Sequence, residues 1–295
     1  TEIRVDAVVV VFSFAVSIVV GLLFGLAPAL RLASNRLHDS IKEGSRGAAG
    51  GAVTRFRNAL VLAEVAIAVV LLVGAGLLIR SFEKLNRVDP GFEPGGILTY
   101  RATFPVSRYR EAANLSAIYD QILERTRSVP GVQAVAVSNT LPMQGSGYVS
   151  FAIDGIAFPN ASESSSPIDV QPFTVSPDFQ KVLGLRLLKG RFIEPRDVDG
   201  VGDVAVINTV MEKLFFKERD PIGMRVTFGN PTAPDAQWWT IVGVVGVIAQ
   251  EGLDAKPYSQ IYLPVAQAQR RGVFVSIKTA GDPLSLVPAA RQALR

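Results

Sequence analysis

Two long apolar runs constrain this chain more than any other feature. The first, Ala7 to Leu30, reads AVVVVFSFAVSIVVGLLFGLAPAL and carries no charge. As a helix rising about 1.5 Å per residue it is roughly 36 Å long, enough to cross a ~30 Å hydrocarbon core with some tilt. The second, Ala59 to Ile79, reaches about 31 Å by the same arithmetic and carries Glu64 as its one charge. Core helices of soluble domains rarely hold more than ~14 uninterrupted apolar residues. A signal peptide has a shorter apolar run, behind a basic stretch and ahead of a small-residue cleavage site. Both runs therefore read as membrane spans.

The flanks set the orientation. The connection 31–58 holds Arg31, Arg36, Lys42, Arg46, Arg55 and Arg57 against Asp39 and Glu43. Positive charge concentrates on the cytoplasmic side of short loops, so 31–58 is expected in the cytoplasm and everything from Arg80 onward outside. The longest later apolar run, Ile241 to Ala249, is too short to cross. The chain is 48% hydrophobic and 19% charged, where soluble domains carry about 25% charge. The spans hold that excess. Residues 80–295 contain 23 Lys/Arg and 21 Asp/Glu. The isoelectric point near 9.4 thus comes mostly from the cytoplasmic loop and is a topology signal, so no nucleic-acid partner is expected. There is no cysteine and His38 is the one histidine, which excludes disulfide staples, Cys-ligated zinc and a histidine metal cluster. The chain opens on Thr1 and reads as a piece of something longer.

Within the spans, Gly21, Gly25 and Ala29 recur at a spacing of four. Such a stripe lets a second helix approach closely, and close packing is what drives helix association in lipid. Glu64 lies just inside the cytoplasmic boundary and is expected to reach the interface or a neighbouring base. Leu37 and Ile41 suggest a short interfacial helix ended by Gly44. GAAGG at 47–51 reads as a flexible linker, and Arg55, Phe56 and Arg57 as a basic collar at the membrane surface. His38 has no nucleophile or paired acid beside it and reads as a solvated loop residue.

The turn cluster VDPGFEPGG at 88–96 separates the second span from the outer domain. A strand is expected at 97–104 and a helix at 111–127. The buried stripe of that helix is Leu115, Ile118, Tyr119, Ile122, Leu123 and Thr126. A returning strand at 132–139 makes a β-α-β unit. Further strands are expected at 147–155, 168–175 and 203–208, and in the runs MRVTFG, WWTIVGVVGVI, QIYLPV and VFVSIKTA. Ser176-Pro177-Asp178 reads as a helix start with a capping hydroxyl, and that helix stops at Gly184. Asn208 is the expected cap of a helix over 209–217 that buries Val210, Met211, Leu214 and Phe215. A final helix falls within 283–295. Strands and helices mix without strict alternation, which points to α+β.

Familiar catalytic patterns are missing. There is no Gly-x-x-x-x-Gly-Lys-Ser/Thr phosphate loop and no Gly-x-Ser-x-Gly elbow, and the outer domain has no histidine. Asp197, Asp199 and Asp203 form the one acid cluster. They sit in a glycine-containing loop, read as solvated, and lack the spacing of an EF-hand calcium site. Trp238 and Trp239 open a strand, so one is expected to face inward and the other outward. No cofactor is implied and no enzyme activity is expected.

The order span, basic loop, span, then Val88–Phe92, Pro130–Val132, Ser176–Phe179, Gly190–Phe192, Asp220–Gly223, Ile241–Gly246 and Ile261–Pro264 resembles the FtsX-like/MacB-like permeases of ABC transporters. The likeness covers nearly the whole chain and is greatest to the subgroup with two permease halves in one chain. It implies a membrane protein with two transmembrane α-helices plus an α+β extracytoplasmic domain, in which a β-α-β porter-like lobe carries a strand-rich inserted lobe. It implies that 1–30 ends the first permease half, that 31–58 is a basic cytoplasmic linker, that 59–79 is the next transmembrane helix, and that 80–295 is a MacB-like periplasmic core domain. The implied setting is the bacterial inner membrane. The implied partners are a separate ATP-binding subunit, other permease helices or a second permease copy, a periplasmic adaptor and the lipid bilayer. ATP hydrolysis by the partner would repack the spans and move the outer domain for efflux or mechanical signalling. Pro90, Gly91, Gly95 and Gly96 would form the coupling turn. The remaining spans and the ATPase-contacting elbow of such permeases are not in view, so the resemblance does not extend to direct ATPase contact by 31–58. A membrane-anchored sensor or scaffold without an ATPase is the alternative, and an anchored hydrolase lacks a nucleophile–base pair.

Overall fold

Helix α1 spans Ala7–His38 and helix α2 spans Ala49–Asn86 in a computed structural model. The structure describes residues 7–38, 49–104, 113–145, 147–156, 169–217, 219–228, 230–268 and 270–293, with the side chains of 23–54, 56–57 and 113–114 outside that description. It divides into two compact units, 1–79 and 80–295. Described side chains of α1, from Ala7 to Leu22, are all exposed. Asn58–Asn86 of α2 is long and apolar enough to cross a bilayer by length and composition, and none of its most apolar window is buried. A helix apolar on every face needs lipid or other helices around it. The hydroxyls of Ser13 and Ser17 donate to the carbonyls of Val9 and Ser13 at 2.8 Å, so neither leaves an unpaired polar group on the apolar surface.

The linker departs from expectation. Of the short helix expected around Leu37 and Ile41, Leu37 lies in the last turn of α1, which runs to His38, and Ile41 and Gly44 lie outside the described residues. Ala49 to Gly51, expected as flexible coil, form the first turn of α2. Extending an existing helix adds a bond per residue, which offsets the roughly 1 kcal/mol penalty of a helical glycine.

In the second unit, β1 (Ile97–Thr103), α3 (Ala113–Arg127) and β2 (Val132–Ser138) follow in order. The two strands do not pair with each other. β10 (Gly272–Thr279) lies between them, antiparallel to both, with Tyr100 opposite Val275 and Val137 opposite Val275 on its other edge. The expected β-α-β unit is therefore split by a strand from the far end of the chain. α3 buries Leu115, Tyr119, Leu123 and Thr126 against this sheet. The short helix α6 (Val287–Ala293) closes the same layer after a tight turn at Pro283–Leu286 that Asp282 caps.

Between β2 and β10 the chain builds a strand-rich ring. Its members are β3 (Val149–Ile153), β4 (Asp169–Val175), β6 (Val204–Asn208), β7 (Arg225–Phe228), β8 (Trp238–Val245) and β9 (Gln260–Pro264). They pair in the order β3-β7-β8-β6-β9-β4, and β4 returns to β3. The β6–β8 and β4–β9 pairs are parallel. A short β5 (Leu187–Gly190) adds to β8 beyond β7, and one pairing, Ser138 with Val175, joins the ring to β2. Alternation along the strands sends Phe151, Ile153, Val226, Ile241 and Ile261 into one core cluster.

Two expectations about helix starts resolve differently. Asn208 does cap α5 (Thr209–Met211), accepting from the Met211 N–H at 2.9 Å. The chain then opens into a π-helical turn, Glu212–Phe216. The wider turn carries the next buried position past Leu214, which is exposed, to Phe216, so Met211 and Phe216 are the buried residues. Ser176 does not cap α4 (Phe179–Leu183). Its Oγ accepts from the Val137 N–H at 2.9 Å, because a buried backbone donor at the seam between the sheets must find an acceptor. α4 does stop at Gly184, which holds the left-handed conformation.

Candidate functional site

α2 ends at Asn86 because Asp89 precedes Pro90, and the residue before proline is driven out of helical conformation. The segment 87–96 then crosses the face of the domain as a strap. Asp89 Oδ1 accepts from the Gly91 N–H at 2.8 Å, a local turn. The Pro90 carbonyl accepts from the Ala249 N–H at 2.8 Å. Gly91 has φ +77°, and a Cβ there would lie 1.7 Å from the Val247 carbonyl oxygen. Glu93 N–H donates to the last carbonyl of α4, Leu183, at 2.8 Å. Lys278 Nζ donates to Glu93 Oε2 at 3.2 Å and to the Gly95 carbonyl at 3.1 Å. Gly96 accepts from the Thr279 N–H at 2.8 Å with φ +71°, and a Cβ would meet the Thr279 oxygen at 2.8 Å. The strap is thus fastened to loop 246–251, to α4 and to the end of β10.

Loop 246–251 is fastened in turn to the ring by buried amides. The Gln260 side chain donates to the Ile248 carbonyl at 2.8 Å, and its Oε1 accepts from Ile248 N–H, Asn208 Nδ2 and the Tyr262 hydroxyl at 3.1 to 3.2 Å. Asn208 Oδ1 accepts from the Gln260 N–H at 3.1 Å while capping α5. Gln250 Nε2 donates to the carbonyls of Leu141 and Gly145 at 3.0 and 2.9 Å, tying down loop 139–145. Gln171 Nε2 reaches Tyr148 Oη and Glu251 Oε1 at 3.3 and 3.2 Å, and Tyr148 also donates to that carboxylate. Partial burial and then the Glu251 carboxylate push the Tyr148 phenol up to about 12, so it stays a donor across the physiological range. A cavity of about 140 Å³ lies between Val88–Asp89 and loop 247–258.

All four expected coupling residues take part in these contacts, Gly95 through its carbonyl to Lys278. Gly95 has nothing within 4 Å of a would-be Cβ. Gly21 of the small-residue stripe likewise faces open space, and the side chains of Gly25 and Ala29 lie outside the described residues. Gln260 and Ala249 were not among the expected site residues. The available signal was a glutamine opening a strand run, QIYLP, whose residues are all buried, since a buried amide must have partners.

The acid cluster is not solvated throughout. Asp197 is 7% exposed and pairs with Arg191 through two bonds of 2.7 and 2.8 Å. Burial pushes its carboxyl up, but the Arg191 guanidinium and the Glu194 N–H outweigh this and hold it below the usual carboxylate range. The Glu194 N–H adds a further bond to the Asp197 carboxylate at 2.8 Å, whereas Asp203 accepts from Gln237 at 2.8 Å. Trp239 faces the ring interior, packed edge-on against Phe228 with centroids 5.0 Å apart, and Trp238 lies under the Arg225 guanidinium at 5.4 Å. Among the described residues no three His, Asp or Glu side chains converge as metal ligands would.

The model of one protein family, the MacB-like periplasmic core domain, matches residues 59–293. No curated protein matches. Among solved structures the chain is similar to the periplasmic region of MacB from Actinobacillus actinomycetemcomitans, with 17% identity and a TM-score of 0.44, over 72% of this chain and 86% of that one. It is also similar to the extracellular domain of the noncanonic ABC-type transporter YknZ from Gram-positive bacteria, with 15% identity and a TM-score of 0.41, over 66% of this chain and 88% of that one.

Proposed function

The chain belongs to the family of MacB-like periplasmic core domains, and on that premise we propose that it is a permease segment of an ABC transporter. Residues 80–295 are the extracytoplasmic domain of a membrane protein. In this reading the apolar runs 7–30 and 59–79 both span the bacterial inner membrane and 31–58 is their cytoplasmic connection. The chain performs no chemistry of its own. A separate ATP-binding subunit supplies the energy, other permease helices or a second copy pack beside the spans, and a periplasmic adaptor is a further partner.

One observation carries the coupling part of the proposal. The segment leaving α2 is fastened at Pro90–Gly91, Glu93 and Gly96 to both the ring and the split sheet. A displacement of the helix end therefore has a hydrogen-bonded route into each, and α2 would drive the domain for efflux or mechanical signalling.

The test is purification of the intact parent protein from native membranes, with identification of bound subunits and an ATPase assay. A co-purifying subunit that hydrolyses ATP is the expected result. A protein that purifies alone under gentle detergent, with no hydrolysis, would move the assignment to a membrane-anchored sensor or scaffold.

A further inference from the structure

The ring leaves one end of its own lumen unfilled. The inward-facing rows that fill the middle of the ring continue one step further, from Phe151 to Val149, from Val226 to Phe228, from Ile241 to Trp239 and from Ile261 to Leu263. At that last step Phe228 and Trp239 still touch, their ring centroids 5.0 Å apart, but the rows do not close over the lumen. They line a hollow of about 280 Å³ together with Pro172 and Ala268. Mouths of β-barrels are among the usual places for small-molecule sites, which run from roughly 300 Å³ upward. At about 280 Å³ the hollow lies just under that range and has room only for a small body.

The rim limits the chemistry. Three polar residues stand on it, Gln237, Gln267 and Arg270. Gln237 is committed to Asp203. Gln267 is committed on both sides of its amide, accepting from the Val204 N–H at 3.1 Å and donating to the carbonyls of Val198 and Gly202 at 3.2 and 2.9 Å. The exposed Arg270 guanidinium makes no ion pair with any described residue. One available cation over an apolar, aromatic-walled hollow is complementary to a small body with one acidic group.

We propose that the mouth of the ring is a binding site for a small aryl or short-chain alkyl monocarboxylate, with the apolar body against Trp239, Phe228 and Leu263 and the carboxylate at Arg270. The proposal is independent of the coupling route, which lies on loop 246–251.

The two tryptophans of the chain both lie in β8, so with Trp238→Phe the fluorescence reports the hollow alone. The probe is 4-bromobenzoate, whose bromine quenches indole, titrated into the full chain in liposomes. The expected result is saturable quenching of Trp239. It is lost on Ala268→Phe and on Val149→Phe, two fillings from different elements, so that a misfolded variant does not end the test. Arg270→Gln weakens binding about fivefold, the upper range for an exposed ion pair, and Arg270→Lys restores it. The neutral 4-bromobenzamide binds correspondingly less well to the unmodified site. Quenching that rises linearly without saturation, or that survives both filling variants, would overturn the site. Equal binding of acid and amide, unaffected by Arg270→Gln, would overturn the assignment of a carboxylate ligand.

Discussion

Gly91 and Gly95 stand four residues apart in one strap and answer to different constraints. Gly91 holds a left-handed backbone with the Val247 carbonyl where a Cβ would be. Gly91→Ala is expected to cost at least about 2 kcal/mol through backbone strain alone. Gly95→Ala meets nothing and is expected to change stability by less than about 0.5 kcal/mol. Denaturant unfolding followed by tryptophan fluorescence separates the two, since both indoles lie in this domain. A turn cluster read from sequence treats its glycines alike, because the carbonyl that excludes a side chain at Gly91 comes from a residue far along the chain. Asp197 makes the same point for charge. Its loop composition suggests a solvated acid, and what buries it is the paired Arg191. Asp197→Asn is expected to lose about 2 kcal/mol, the scale of bonds to a charged partner. Because the folded pKa is lowered, this stabilisation is fully present above the unfolded carboxylate value near ~3.9. It fades as the pH falls through the lower folded value. Stabilities of wild type and variant measured against pH should therefore differ at neutrality and converge only in that acid window.

Elements whose evidence is local were legible. The α3 stripe lands on the buried residues Leu115, Tyr119 and Leu123 at i, i+4 and i+8, with Ile118 and Ile122 half-buried beside them, and the Asn208 cap is made where an asparagine ends an apolar strand. The sequel to that cap was not legible. A helical period places Leu214 inside, but the π turn at Glu212–Phe216 exposes it and buries Phe216. Periodicity assumes one turn width, and tertiary packing chose another. Leu214→Glu is thus expected to be tolerated within about 0.5 kcal/mol, while Phe216→Ala should cost about 3 kcal/mol or more by opening a cavity beside Met211. Equilibrium unfolding of the pair checks the register. Equal costs would mean the ordinary helical register holds. The ring was equally out of reach: its strands could be found one by one, but closure of β4 onto both β3 and β9 depends on pairings between distant segments.

At the scale of the whole molecule, the split sheet takes β1 and β2 from one side of the ring segment and β10 from the other. Ending the chain before Gly272 would leave β1 and β2 without the strand that joins them, so such a truncation should lose the α3 layer to proteolysis while native protein resists. The strap matters at the same scale, because it leaves α2 and is fastened to both parts of the domain. Its position after the long apolar helix α2 was legible from the turn residues Pro90, Gly91, Gly95 and Gly96. Its partners, Ala249 and through it Gln260 and Asn208, were not, since nothing local in a sequence pairs residues so far apart. The central claim is that helix displacement reaches the domain through these bonds. The chain has no cysteine, so one introduced by Asp235→Cys can carry a donor dye read against acceptor dyes in the lipid headgroups. The measurement is the change in energy transfer on adding ATP to the intact transporter with its ATPase in liposomes. It is made with and without a flexible Gly-Ser insertion of about six residues between Arg87 and Val88. The account predicts that ATP shifts the transfer in the native protein and that the insertion abolishes the shift while hydrolysis continues. The same shift with the insertion in place would contradict it.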